Sequence, residues 1–142
     1  MSLTQVFLSL LTLTRALKYE ITKTVNSDSS VTLDRCLVYS RADAIGNLNP
    51  EISLSFISDS SALKNDSLVI LNSKDYEYLE VMDFCTSPSK TMHLNVTSTD
   101  VYSIVYSRCD NSSVQVGVDL EVVNPFGYLP GELFMLLPVL FT

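Results

Sequence analysis

Four kinds of residue in this chain carry usable chemistry: a pair of nearby carboxylates, three thiols, one imidazole and three asparagines in acceptor sequons. Asp119 and Glu121 stand two apart, which puts both side chains on one face of a strand. Such a pair can bind a cation or share acid–base work. The alternation around it favours a plainer reading, a solvated outer face. The cysteines are Cys36, Cys85 and Cys109, and no two are close enough in sequence for a zinc motif. His93 is the single histidine and reads as a strand surface residue. Asp83 with Cys85 and Cys109 invites a metal reading, but a disulfide accounts for two thiols with less invention and leaves one over. Asn65-Asp66-Ser67, Asn95-Val96-Thr97 and Asn111-Ser112-Ser113 match the N-glycosylation pattern. Two of these fall in predicted turns and Asn95 falls on the polar face of a predicted strand; ordinary polar turn residues are the alternative.

Catalytic motifs are missing from the sequence. The four glycines, Gly46, Gly117, Gly127 and Gly131, are isolated, so none builds a phosphate-binding loop. No nucleophile elbow occurs, and one histidine leaves little room for a Ser-His-Asp constellation. The residues therefore predict no enzyme, no metal and no cofactor.

The elements that position these residues read as strands. Val114, Val116, Val118, Leu120 and Val122 alternate with Gln115, Gly117, Asp119 and Glu121, the pattern of a half-buried antiparallel strand over 113–123. The segment 91–97 repeats it, with Met92, Leu94 and Val96 opposite Thr91, His93, Asn95 and Thr97. Tyr102, Ile104 and Tyr106 form one face of the next run and Val101 and Val105 the other, so that strand is expected to be buried on both sides. Further strands are predicted over 19–25, 31–39, 51–58, 67–72 and 76–84, with turn-rich stretches at 26–30, 43–50, 59–66, 86–90 and 110–112. Eight short strands with regular breaks predict an all-β antiparallel sandwich, and no long helical period or internal repeat interrupts it.

Length and composition agree with one domain. The chain has 142 residues, is 46% hydrophobic and carries a net charge of −7. A surface that acidic repels phosphate backbones and anionic lipid, so no nucleic-acid partner is expected.

The two ends differ in character. Val6–Leu13 is an apolar run too short to cross a bilayer but suited to a signal-peptide core, and Thr14-Arg15-Ala16 supplies small residues at the cleavage positions. The n-region lacks Lys or Arg, and Arg15 sits on the wrong side of the run; the alternative is an amphipathic or core helix. Residues 1–16 are read as a leader cleaved after Ala16, and 17–123 as the sandwich. Residues 124–132, rich in Pro and Gly, read as a linker. Leu133–Thr142 is almost wholly apolar and reads either as a final core strand folding back or as the opening turns of a transmembrane helix; the second is preferred.

The segment Val101–Leu129 resembles the end of the lumenal domain in the Golgi-associated seven-transmembrane family, also called lung seven-transmembrane receptors. The matching residues are Tyr102, Ser103, Tyr106, Cys109, Asp119, Glu121, Asn124, Pro125, Tyr128 and Leu129. Phe126–Pro130 is similar to the fungal branch, as is Leu68–Leu79 with Cys85 following. The likeness is specific over the last third of the chain, weaker in the middle and absent before Asp66. The shortened Gly131-Glu132 departs from the family pattern, and the seven helices lie beyond this sequence.

That resemblance implies a GOLD-like lumenal sandwich, a Golgi location with the domain facing the lumen, and a role in vesicle-mediated membrane traffic. It implies a membrane partnership through the further helices and binding of a lumenal cargo protein or peptide. It also implies a bridge between Cys85 and Cys109, which both lie in the resembling segments; Cys36 with Cys109 is the rival pairing. The expected contact regions are the loops Asp43–Pro50, Asp59–Asp66 and Thr86–Lys90, with Asp119 and Glu121 as a second candidate. A secreted or cell-surface structural or adhesion sandwich is the alternative function.

Overall fold

The structure is a computed structural model describing residues 18–57, 66–81, 84–86 and 88–127. The expected leader, Asn65, Asp83 and Leu133–Thr142 lie outside the described residues. The described strands are β1 (Lys18–Val25), β2 (Ser30–Val38), β3 (Glu51–Phe56), β4 (Ser67–Leu71), β5 (His93–Asn95), β6 (Asp100–Ser107) and β7 (Val114–Val123). They form two sheets, one in the order β1-β7-β3-β5 and one in the order β2-β6-β4, and every strand pair is antiparallel.

The period-2 pattern explains the layering. Val116, Val118, Leu120 and Val122 of β7 are buried, as are Ile52 and Leu54 of β3, and they meet Tyr102, Ile104 and Tyr106 of β6 and Leu68 of β4 in one core. Branched and aromatic side chains suit this pleated, half-buried surface. β6 is buried on both faces, as its sequence predicts. Val105 packs with Val69 and Leu71 on the outer side, beneath Tyr76, Leu79 and Phe84.

Those last three residues mark a correction. The segment 76–84 is not a strand. It holds the end of a one-turn helix α1 (Ser73–Tyr76) and a 3-10 turn (Leu79–Val81). Asn72 sets the helix: its side-chain oxygen accepts the Asp75 N–H at 2.8 Å, satisfying a donor that the first turn leaves over. Tyr76, Leu79 and Phe84 thus reach one surface at spacings that a strand would send to both faces. The strand predicted over 91–97 shrinks to β5, although the Leu54 N–H bond to Met92 O and the Val96 N–H bond to Pro50 O carry its register one step beyond each end; Pro50 has no N–H to return the second bond there.

Strand register gives the sandwich two distinct ends. Val25 faces Val114, and Ser30 and Ser67 both face Ser107, so residues 26–29, the start of β4 and the β6–β7 turn share one end. At the other end Lys18 faces Glu121, Val38 faces Asp100, and Glu51 faces both Val123 and Asn95. That end collects the β2–β3 loop, residues 96–99 and the exit from β7.

Among the described residues, no helix is long and apolar enough to cross a membrane.

Candidate functional site

Asp119 and Glu121 lie on the outer face of the larger sheet. Register puts Asp119 between Glu20 and Ser55, and Glu121 between Lys18 and Ser53. With Tyr19 they line a shallow, open depression of roughly 380 Å³. The strip carries three carboxylates and two hydroxyls with no wall above them, an arrangement suited to meeting a partner surface. No group of three or more His, Cys, Asp or Glu placed to hold a metal occurs among the described residues. His93 is exposed on β5, where its Nε2 lies 3.4 Å from Glu51 Oε2 and 3.2 Å from Asn95 Oδ1. Asn95 and Asn111 are both exposed, which leaves room for a glycan at each.

Cys85 and Cys109 form a disulfide with Cα atoms 5.5 Å apart. Cys36 is buried in β2, its Sγ 3.9 Å from Tyr102 O, and takes no part in the bridge.

Beside the disulfide lies a charged cluster that the sequence reading missed. Asp66 is 0% exposed and Arg108 is 6% exposed. Arg108 Nη1 donates to Asp66 Oδ2 at 2.6 Å, the Tyr106 hydroxyl donates to the same oxygen, and the Cys109 N–H donates to Asp66 Oδ1 at 3.1 Å. Arg108 also spans the β6–β7 turn, with Nε 2.9 Å from Ser112 O and Nη2 3.0 Å from Ser112 Oγ. Burial opposes ionisation of Asp66, but the hydrogen bonds from Tyr106, Arg108 and Cys109 outweigh it and hold its carboxyl below the ordinary 3.8. Burial, followed by the bond to Asp66, pushes the Tyr106 hydroxyl upward. Asp66 is fully buried with donors on both oxygens, so the cluster ties the start of β4, the end of β6 and the disulfide together. The available signal was a basic residue, Arg108, directly after an apolar strand and directly before a bridged cysteine.

The opposite end is built around the exit of β7. Asn124 is fully buried; its Oδ1 accepts the Tyr39 N–H at 2.8 Å, and its backbone exchanges bonds with Gly127 at 2.8 and 2.9 Å. Residues 124–127 of the expected linker are therefore a turn packed into the domain. Gly46 explains how the β2–β3 loop lies against it. Its φ is +119°, and a Cβ there would sit 2.0 Å from Pro125 O. Leu48 N–H bonds the same carbonyl at 3.2 Å, and the Tyr39 and Phe126 rings pack at 6.1 Å.

The expected contact loops divide between these ends. Asp43–Pro50 sits at the β7 exit. Thr86–Lys90 sits at the disulfide end with Asp66: Ser89 O accepts the Leu68 N–H at 2.9 Å, and Ser67 Oγ accepts the Ser89 N–H at 3.1 Å. Residues 59–65 of the third loop lie outside the described residues. One patch combining Asp43–Pro50 with Thr86–Lys90 does not exist, because the strands separate them by the length of the sandwich.

The fold and the bridge define a disulfide-linked antiparallel β-sandwich module. No family model, curated protein or solved structure matches the chain.

Proposed function

We propose that this chain is the lumenal recognition domain of a Golgi seven-transmembrane protein, acting in membrane traffic by binding and without turnover. The observation that carries the reading is the Cys85–Cys109 bridge, which joins the two segments resembling the Golgi-associated seven-transmembrane family. The two-sheet antiparallel architecture suits the GOLD-like sandwich of that family, and a disulfide suits an oxidising lumen. Residues 1–16 act as the leader, and Leu133–Thr142 begins the first membrane helix.

In this reading the β7 exit faces the membrane and the disulfide end faces the lumen. The partner surface is then the disulfide end, with Thr86–Lys90 and the β6–β7 turn; the open strip of Glu20, Asp119 and Glu121, on the sheet face nearer the β7 exit, is a second contact region. Sandwich loops and exposed sheet faces bind extended peptides or partner domains, and tethering to the membrane makes weak contacts sufficient.

Protease protection tests the placement. The full-length gene, tagged within residues 26–29, is expressed in a homologous host and its Golgi membranes are isolated. The account expects the tag to resist protease until detergent is added, and endoglycosidase to shift the protein, with the shift reduced by Asn95→Gln and by Asn111→Gln. A tag cut without detergent, or release of the protein into the medium as for an adhesion domain, contradicts it.

A further inference from the structure

Two of the most exposed large apolar side chains of the described residues sit on one loop. Ile45 is 69% exposed and Leu48 is 49% exposed. Both belong to the β2–β3 loop, whose tip is held against the β7 exit by the Gly46–Pro125 contact and the Leu48 N–H bond to Pro125 O. The loop is thus anchored, and its aliphatic side chains stay in water although buried positions lie close by. Its two charged residues, Arg41 and Asp43, are both exposed and both have polar partners on this end of the domain. Asp43 is engaged by the Thr99 hydroxyl at 2.5 Å and the Ser40 hydroxyl at 3.2 Å, and Arg41 Nη1 lies 3.4 Å from Asn49 Oδ1.

What lies beyond this end is written in the sequence. Five residues separate Gly127 from Leu133, where the apolar run begins. Six peptide steps reach at most roughly 20 Å. If that run enters a bilayer, the Ile45–Leu48 tip is held within reach of the lipid surface.

We propose that the Ile45–Leu48 tip is a bilayer-contacting loop, whose two aliphatic side chains enter the interfacial zone of an electrically neutral membrane. The inference rests on the membrane reading of Leu133–Thr142. The lipid chemistry follows from charge: with a net charge of −7 the chain is repelled by anionic headgroups, so a zwitterionic surface is the one it fits. Partly burying exposed aliphatic side chains in an apolar medium is the driving force. The consequence is orientation. The anchor and the loop give two points of attachment, so the sandwich stands with its disulfide end turned to the lumen.

The chain has no tryptophan, so one introduced indole reports alone. The full 142-residue chain carrying Asn47→Trp is mixed with phosphatidylcholine vesicles, with and without brominated acyl chains. Ser27→Trp, exposed at the opposite end, serves as the comparison. The expected result is a blue shift and at least twofold quenching at position 47 with no change at position 27. Adding Ile45→Ser and Leu48→Ser to the Asn47→Trp chain abolishes that quenching while leaving the melting temperature in place, since both side chains are exposed. Equal quenching at positions 47 and 27, or quenching that survives the two serines, overturns the proposal. Sedimentation with the vesicles reports separately on Leu133–Thr142. If the wild-type chain does not sediment, the membrane reading of that run fails. A chain tethered through a C-terminal histidine tag to nickel-chelating lipid then decides the loop by the same two comparisons.

Discussion

Arg108 Nη1 lies 2.6 Å from Asp66 Oδ2, and the two residues are 6% and 0% exposed, so an ion pair is buried beside the disulfide of a mainly apolar sandwich. Its setting explains why both charges are tolerated. Asp66 receives donors on both oxygens, and Arg108 donates to Ser112 and sits 3.6 Å from Asp110 Oδ2. No buried side-chain polar atom among the described residues lacks a hydrogen-bond partner. Removing one member leaves the other stranded, which is far more damaging than removing both.

The first prediction is a non-additive mutant cycle. Arg108→Met is expected to destabilise the domain by about 3 kcal/mol, and Asp66→Asn by a similar amount. The double variant costs less than the sum, because no uncompensated charge remains. Urea unfolding of the four proteins reads this directly. An additive double variant would show that the pair is not coupled.

Acid sensitivity follows from the same residue. The folded-state pKa of Asp66 lies below its ordinary 3.8. Its contribution to stability is therefore complete above about pH 3.8 and is lost as pH falls from there through the folded-state value. Stability measured from pH 5 to pH 2 should fall less steeply in Asp66→Asn than in the wild type. Parallel curves would remove Asp66 as a source of the acid response.

Opening the Cys85–Cys109 bridge should weaken the fold without unmaking its topology. The bridge spans a sequence separation of 24, for which the chain-entropy model gives roughly 3.5 kcal/mol. Cys85→Ser with Cys109→Ser should lower stability by about that amount. Non-reducing peptide mapping should find Cys36 outside any intrachain bridge. A Cys36–Cys109 peptide would contradict the structure.

Gly46 and Gly127 offer a matched comparison, since their φ values are +119° and +115°. A Cβ at Gly46 meets the Pro125 carbonyl, whereas at Gly127 it meets nothing within 4 Å. Gly127→Ala should cost only the backbone strain, about 1 kcal/mol, and Gly46→Ala clearly more, about 2–3 kcal/mol. Thermal melts rank the two; equal losses would mean the loop moves off the β7 exit without penalty.

Truncation places the edge of the domain. A chain ending at Gly127 keeps the Asn124 bonds to Tyr39 and Gly127 and should melt like the longer chain. Ending at Val123 strips those bonds and the Pro125 carbonyl that accepts Leu48 N–H, and should lower the melting temperature by several degrees. Equal melting temperatures would return 124–127 to the status of a linker.

Much of the fold was legible where one face is wet and one dry. The alternation of Val114–Val122 about Asp119 and Glu121 placed β7 with its carboxylates outward, and the double-sided run at Val101–Tyr106 marked the central β6. The helical turn at Ser73–Tyr76 was harder to see, because one turn is too short to show a 3.6-residue period; Asn72 as its cap was the local sign. The Asp66–Arg108 pair joins residues 42 apart, and no pattern in a single sequence announces such a contact. The division of loops between two ends is a property of strand register, which alternation alone leaves open. The same holds for Gly46: an isolated glycine in a loop looks unremarkable until Pro125 lies against it.

The central claim is that this sandwich recognises a partner for a Golgi protein, and deletion of the sandwich tests it most directly. The full-length gene and a version lacking residues 18–127 are expressed in a homologous host, and the recycling of tagged Golgi membrane cargo is measured in each. The account predicts that the deleted protein still enters the membrane but that cargo recycling falls to the level of the gene knockout. Unchanged recycling with the deleted protein, or residence at the plasma membrane regardless of the deletion, would contradict it.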